Sequence, residues 1–144
     1  MALQLTTASS FPSGFNNVTI RGVPITQAHP GQVYWVGNAS TNVLPGHVAG
    51  ADGNPGTFSA PFATIDYAIG RCTASRGDII FVKPGHAETL SAASAIALDV
   101  AGVAIVGLGS GSLRPTITMS TVNTTPFVVS AANCSLVNLL FVAN

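Results

Sequence analysis

A chain of 144 residues has the size of one domain and is long enough to bury a substantial core. It is 47% hydrophobic yet carries only five Lys/Arg and five Asp/Glu, where about a quarter of an ordinary domain is charged. The formal net charge of zero excludes the basic footprint of a nucleic-acid binder, and no stretch approaches the roughly 20 apolar residues of a membrane span. The first ten residues lack the charged lead and apolar run of a secretory signal, so use without secretion is the expectation. Ser, Thr, Asn and Gly replace charge as the polar material. A surface of that kind solvates weakly, and apolar patches on it favour association.

In chain order, residues 1–31 hold short apolar pieces, Val18–Ile20 and Val23–Ile25, punctuated by Gly14, Gly22, Pro24, Pro30 and Gly31. No period persists, and Pro24 argues against a central strand, so an extended N-terminal arm is expected there. The remainder, 32–144, reads as the folded domain. Val33–Val36 is β-branched and aromatic and reads as a strand. A Gly/Asn/Pro loop follows, then a helix near 61–75. Ser59 is its expected cap and Pro61 sits in the first turn. Phe62, Ile65, Ile69 and Cys72 form one apolar stripe, and Gly77 is the stop.

Beyond residue 77 the pattern is strand after short strand: Ile79–Val82, Ala95–Leu98, Val103–Val106, Thr116–Met119, Phe127–Val129 and Ser135–Val142. None is joined by a two-residue hairpin signal. A weak repeat runs through them. Leu98–Gly107 matches Val129–Asn138 at an offset of 31, and Phe81–Gly85 matches Ile105–Gly109 at an offset of 24. Periods of that length with strands in each repeat indicate a stacked, solenoidal fold. Superposing the repeats turns Ile79, Val103 and Cys134 inward with Phe81, Ile105 and Leu136. It turns Val82, Val106 and Val137 outward as an apolar ladder that something should cover.

Catalytic chemistry finds little support. Asp52, Asp66, Asp78, Glu88 and Asp99 are dispersed, with no two at a spacing suited to acid–base work. Asp52-Gly-Asn54 begins like a calcium loop but lacks its closing Glu. His29, His47 and His86 stand apart in Gly/Pro loops, as polar contacts at an interface. Cys72 and Cys134 read as small buried hydrophobes. No catalytic, metal or cofactor site is expected. Tyr34 and Trp35 should divide between core and interface, and Arg21 and Arg114 are the charged residues best suited to subunit contacts.

Three stretches carry a family resemblance: Asp52-Gly-Asn-Pro-Gly-Thr-Phe-Ser-Ala-Pro-Phe-Ala-Thr-Ile65, the helix after it, and Arg76-Gly-Asp-Ile-Ile-Phe-Val-Lys-Pro-Gly85. Together they resemble the pectate-lyase-like superfamily. The resemblance implies an all-β fold: a short right-handed parallel β-helix of about three coils, a capping helix and an N-terminal arm. With Phe15-Asn-Asn-Val-Thr-Ile-Arg-Gly22 and Cys72-Thr-Ala-Ser-Arg-Gly-Asp78, the whole chain is also similar to small β-helix virion proteins of tailed bacteriophages. That likeness implies a capsid decoration or cement protein, not an enzyme, placed on the capsid surface of the virion. Its partners would be the major capsid protein and its own copies, as a homotrimer, with contacts at Arg21, Val82, Val106, Arg114 and Val137. Neither nucleic acid nor membrane is an expected partner. The rival expectation is a tailspike-type, receptor- or carbohydrate-binding fragment.

Overall fold

The computed structural model describes residues 18–20, 23–25, 30–38, 45–120 and 124–144. The protein is mostly β, with parallel strands and little helix. β1 (Val18–Ile20) and β2 (Val23–Ile25) are the exception to parallel pairing: they form an antiparallel two-stranded sheet with Val18 opposite Ile25. Within the stretch expected as an extended arm, these two strands pair with each other. Pro24 is tolerated because both strands of such a pair are edges.

β3 (Val33–Val36) precedes the helix α1 (Ile65–Gly70). The strands β4 (Ile79–Val82), β5 (Ala87–Leu90), β6 (Ile96–Leu98) and β7 (Ala104–Gly107) come next. A 3-10 turn at Gly111–Leu113 leads into β8 (Thr116–Met119), β9 (Phe127–Val129), β10 (Ser135–Val137) and β11 (Leu140–Ala143). Three parallel sheets result, ordered β10-β7-β4-β3, β11-β8-β5 and β6-β9. From β7 onward each strand lies beside the strand three earlier in the chain. One core joins all three sheets and α1 through Val36, Ile65, Ile69, Ile80, Val82, Leu90, Ile96, Leu98, Ile105 and Ile117. Burying each such side chain contributes about 1.5–3 kcal/mol.

The helix is shorter than its apolar stripe predicts. Thr64, not Ser59, is the cap, its side chain accepting the Tyr67 N–H. Pro61 and Phe62 stay outside the helix. Phe62 pairs along the free edge of β3, donating to the Trp35 carbonyl at 2.8 Å and accepting from Gly37 N at 2.9 Å. The stripe nevertheless faces the core, with Phe62, Ile65 and Ile69 buried and Cys72 packed against it. Gly50 lies so close to this edge that a Cβ would run into the Gly37 carbonyl oxygen.

Several strand limits also differ: β6 begins at Ile96 rather than Ala95, and β7 spans Ala104–Gly107 rather than Val103–Val106. β5 escapes the sequence pattern because its sequence, Ala-Glu-Thr-Leu, reads as polar. The expected single strand 135–142 breaks at Asn138, whose backbone is left-handed (φ 55°). The Asn138 side chain donates to the carbonyls of Gly107 and Gly109, both at 2.9 Å, and so holds the corner onto the strand below. A Cβ on Gly107 would collide with the Asn138 carbonyl.

The register between β4 and β7 is displaced by one residue from the sequence expectation. Ile79 pairs with Ala104, Ile80 with Ile105 and Phe81 with Val106, an offset of 25 rather than 24. The offset of 31 between β7 and β10 is observed, with Val106 opposite Val137. A one-residue slip exchanges the two faces of a strand. Ile80 and Val82 therefore point into the core, fully buried, while Ile79 and Phe81 point out.

Candidate interaction surface

The outer face of the four-stranded sheet is built by two rows of paired residues. One runs Trp35, Phe81, Val106 and Val137; the other runs Val33, Ile79, Ala104 and Ser135. Seven of these eight residues are apolar. Val33 and Val137 remain 45% and 49% exposed, Ser135 is exposed, and the other five are half-buried. The loop before α1 folds over one end of this face. Trp35 N donates to Gly56 O at 2.8 Å, which brings the Phe58 ring edge-on to Trp35 at 4.8 Å. Trp35 in turn lies 5.0 Å from Phe81.

Two polar side chains are caught under the same loop. The Lys83 ammonium sits 4.6 Å from the centre of the Phe58 ring, a cation–π contact. Lys83 is only 6% exposed, and burial lowers its pKa from the ordinary lysine value. His47 stacks edge-on against Phe58 at 5.0 Å, with its Nδ1 buried and without a hydrogen-bond partner among the described residues.

Of the expected contact residues, Val106 and Val137 come together on this face as direct neighbours. Val82 does not: it is completely buried between Val36 and Gly107, and it leaves the set because of the register slip. Arg114 immediately precedes Pro115 and β8, away from the ladder. It is partly buried, and its Nε has no partner among the described residues. Arg21 lies outside the described residues. Tyr34 and Trp35 divide as expected. Tyr34 packs against the core and donates its hydroxyl to Arg71 O, and Trp35 points outward. Sequence reasoning missed Phe81 and Ile79, because Ile79–Val82 is apolar on both faces and offers no alternation to read.

The carboxylates are held mainly by the backbone. Asp52 accepts from Ala63 N and Thr64 N at 2.9 and 3.0 Å and from the Thr64 hydroxyl. Asp66 accepts from Ala97 N at 2.9 Å. Glu88 accepts from Ile65 N at the start of α1 and lies 3.2 Å from His86 Nε2. His86 is not a surface contact: its side chain has no exposed area, so no external ligand reaches it in this conformation. Asp78 is fully buried and accepts four bonds, each 2.7 Å, from Gln32 N, Thr73 N, Arg76 Nε and an Arg76 terminal nitrogen. Among the described residues no group of three or more His, Cys, Asp or Glu could hold a metal ion.

Both cysteines are free thiols. Burial, and then the charge of Asp78, push the Cys72 thiol up to about 12, and its Sγ donates to Ala68 O at 3.3 Å. The thiolate is the reactive form. Iodoacetamide at pH 8 is therefore expected to leave Cys72 unmodified in the folded protein and to label both cysteines in urea, as read by peptide mass spectrometry.

Among the described residues no helix is long and apolar enough to cross a membrane. No protein-family model, no curated protein and no solved structure matches the chain.

Proposed function

We propose that the three parallel sheets are the faces of a short right-handed parallel β-helix of about three coils, and that the protein is a non-enzymatic structural component of a bacteriophage particle. In this reading it attaches to the major capsid protein on the outside of the head and associates with itself as a trimer. The pairing of each strand with the one three earlier supports the coil reading, and the right-handedness of about 98% of parallel crossover connections supports its hand.

The observation that carries the proposed role is the outward ladder Trp35–Phe81–Val106–Val137. Such a face, on a chain so poor in charge, resembles the apolar centre of a protein interface with aromatic anchors. The chemistry is adhesion by shape, multiplied over many copies on a lattice.

Co-sedimentation of the purified protein with empty capsid shells tests the role, and light scattering tests the association. Val106→Asp should leave the circular dichroism spectrum unchanged, abolish the three-fold contact and weaken shell binding at least tenfold. Binding to a polysaccharide in place of shells would favour the tailspike-type reading. The grouping of Trp35, Phe58 and Phe81, which could stack on sugar rings, supports that second reading.

A further inference from the structure

Asp78 and Lys83, the two buried side chains of opposite charge, are treated very differently by the fold. Asp78 accepts four hydrogen bonds, two of them from Arg76. Lys83 is nearly as deep, at 6% exposed, yet among the described residues its ammonium meets only the Phe58 ring. All five Asp and Glu lie among the described residues. Ion pairs there join Asp78 to Arg76 and Glu88 to His86, and none reaches Lys83. Lysine is almost never buried this fully unless it is paired.

The position of this lysine is set by the sheet. By strand alternation, Lys83 continues the outer side of β4 two residues beyond Phe81, as Gly37 continues that of β3 beyond Trp35. A Cβ on Gly37 would stand 3.0 Å from Lys83 Cδ, so the bare glycine leaves room for the lysine stem. The loop above is pinned by Val48 N donating to Ser59 O at 2.9 Å. It brings His47 against the same Phe58 ring, with Nδ1 buried and unpartnered among the described residues. Two nitrogen groups thus meet one ring at the end of the apolar ladder.

We infer that Lys83 and His47 form a binding site for a carboxylate, supplied by an Asp or Glu side chain of a different protein that covers the ladder. The inference rests on the reading of the ladder as a contact face. An ammonium carries three N–H donors, and the Phe58 ring attracts its charge without replacing an anionic acceptor. The lysine is already withdrawn from water in the free protein, so an arriving carboxylate meets a cation whose desolvation cost was met on folding. The pair would be charge-assisted and shielded from solvent once the apolar rows are covered. A second copy is a poor donor. Asp52, Asp66, Asp78 and Glu88 are each held by the chain's own N–H groups, which leaves only the exposed Asp99.

Lys83 is the only lysine of the sequence, so lysine labelled with carbon-13 at Cε gives one NMR signal from the full, unmutated chain. Titration with sodium acetate should shift that signal and the His47 ring signals saturably, while acetamide, its uncharged analogue, should not. Acetate should also move the lysine titration to higher pH, because a neighbouring anion favours the ammonium. No saturable shift, or an equal shift with acetamide, overturns the site. Co-sedimentation with empty capsid shells tests the source of the carboxylate. Lys83→Met, which keeps the stem, should weaken binding about tenfold or more and flatten its salt dependence. If Val106→Asp weakens shell binding but Lys83→Met does not, the ladder reading stands and the carboxylate anchor falls. Acetate binding without any shell binding keeps the site and overturns the capsid reading. Loss of self-association in both Asp99→Asn and Lys83→Met would assign the carboxylate to a second copy and overturn the different partner.

Discussion

Val82→Asp is expected to abolish folding at neutral pH, or to cost at least about 4 kcal/mol in urea denaturation, while Val106→Asp changes monomer stability by less than about 1 kcal/mol. Val82 has no exposed area and stacks between Val36 and Gly107 in the core. A carboxylate there would lose its hydration among aliphatic neighbours. Typical domains have only about 5–15 kcal/mol of stability in total, so one uncompensated charge removes much of it. Val106, one row away on the opposite face, leaves an introduced carboxylate free to reach water. Equal, small losses at both sites would show that the register between β4 and β7 is wrong.

Asp78→Ala should destabilise the fold by about 3–5 kcal/mol, the usual consequence of removing one partner from a buried ion pair. The substitution strands two backbone N–H groups, from Gln32 and Thr73, together with the Arg76 guanidinium. The loss should also alter the acid limb of stability. The Arg76 guanidinium hydrogen bonds, helped by the two N–H groups and opposed by burial, hold the Asp78 carboxyl down at about 2. A carboxylate with a depressed native value stabilises the fold above its unfolded value near 3.9, and that contribution fades as pH falls through the native value. Asp78 thus contributes about 2 kcal/mol at neutral pH, lost progressively between about pH 5 and pH 1. Chemical denaturation at pH 7 and pH 2.5 checks this: the difference between the two should shrink in Asp78→Ala. An undiminished difference would assign the acid sensitivity to other carboxylates.

Much of the β architecture was legible because turn residues punctuate it. Ile79–Val82, Thr116–Met119 and Phe127–Val129 begin and end where the sequence marks them. What resisted reading has specific causes. β5 was hidden by Glu88, whose carboxylate serves the start of α1 from across the core, a long-range use that local composition does not reveal. The helix was overextended because Phe62 fits its stripe but is engaged by the edge of β3. At the candidate surface, Val106 and Val137 were found by their offset of 31, whereas Val82 was misplaced because Ile79–Val82 is apolar throughout. The inward position of Asp78 fixes the true phase of that strand. Its four hydrogen bonds join residues 32, 73 and 76, and only the fold brings Gln32 to it.

The order of strands within each parallel sheet also gives the molecule a direction in time. β3 and α1, at one side of the strand order, precede in the chain β9, β10 and β11 at the other. A polypeptide emerging N-terminus first therefore presents β3 and α1 before β9, β10 and β11 leave the ribosome. From β7 onward, each arriving strand meets a partner synthesised 24–31 residues earlier. Each new strand is therefore added beside one already made, in chain order.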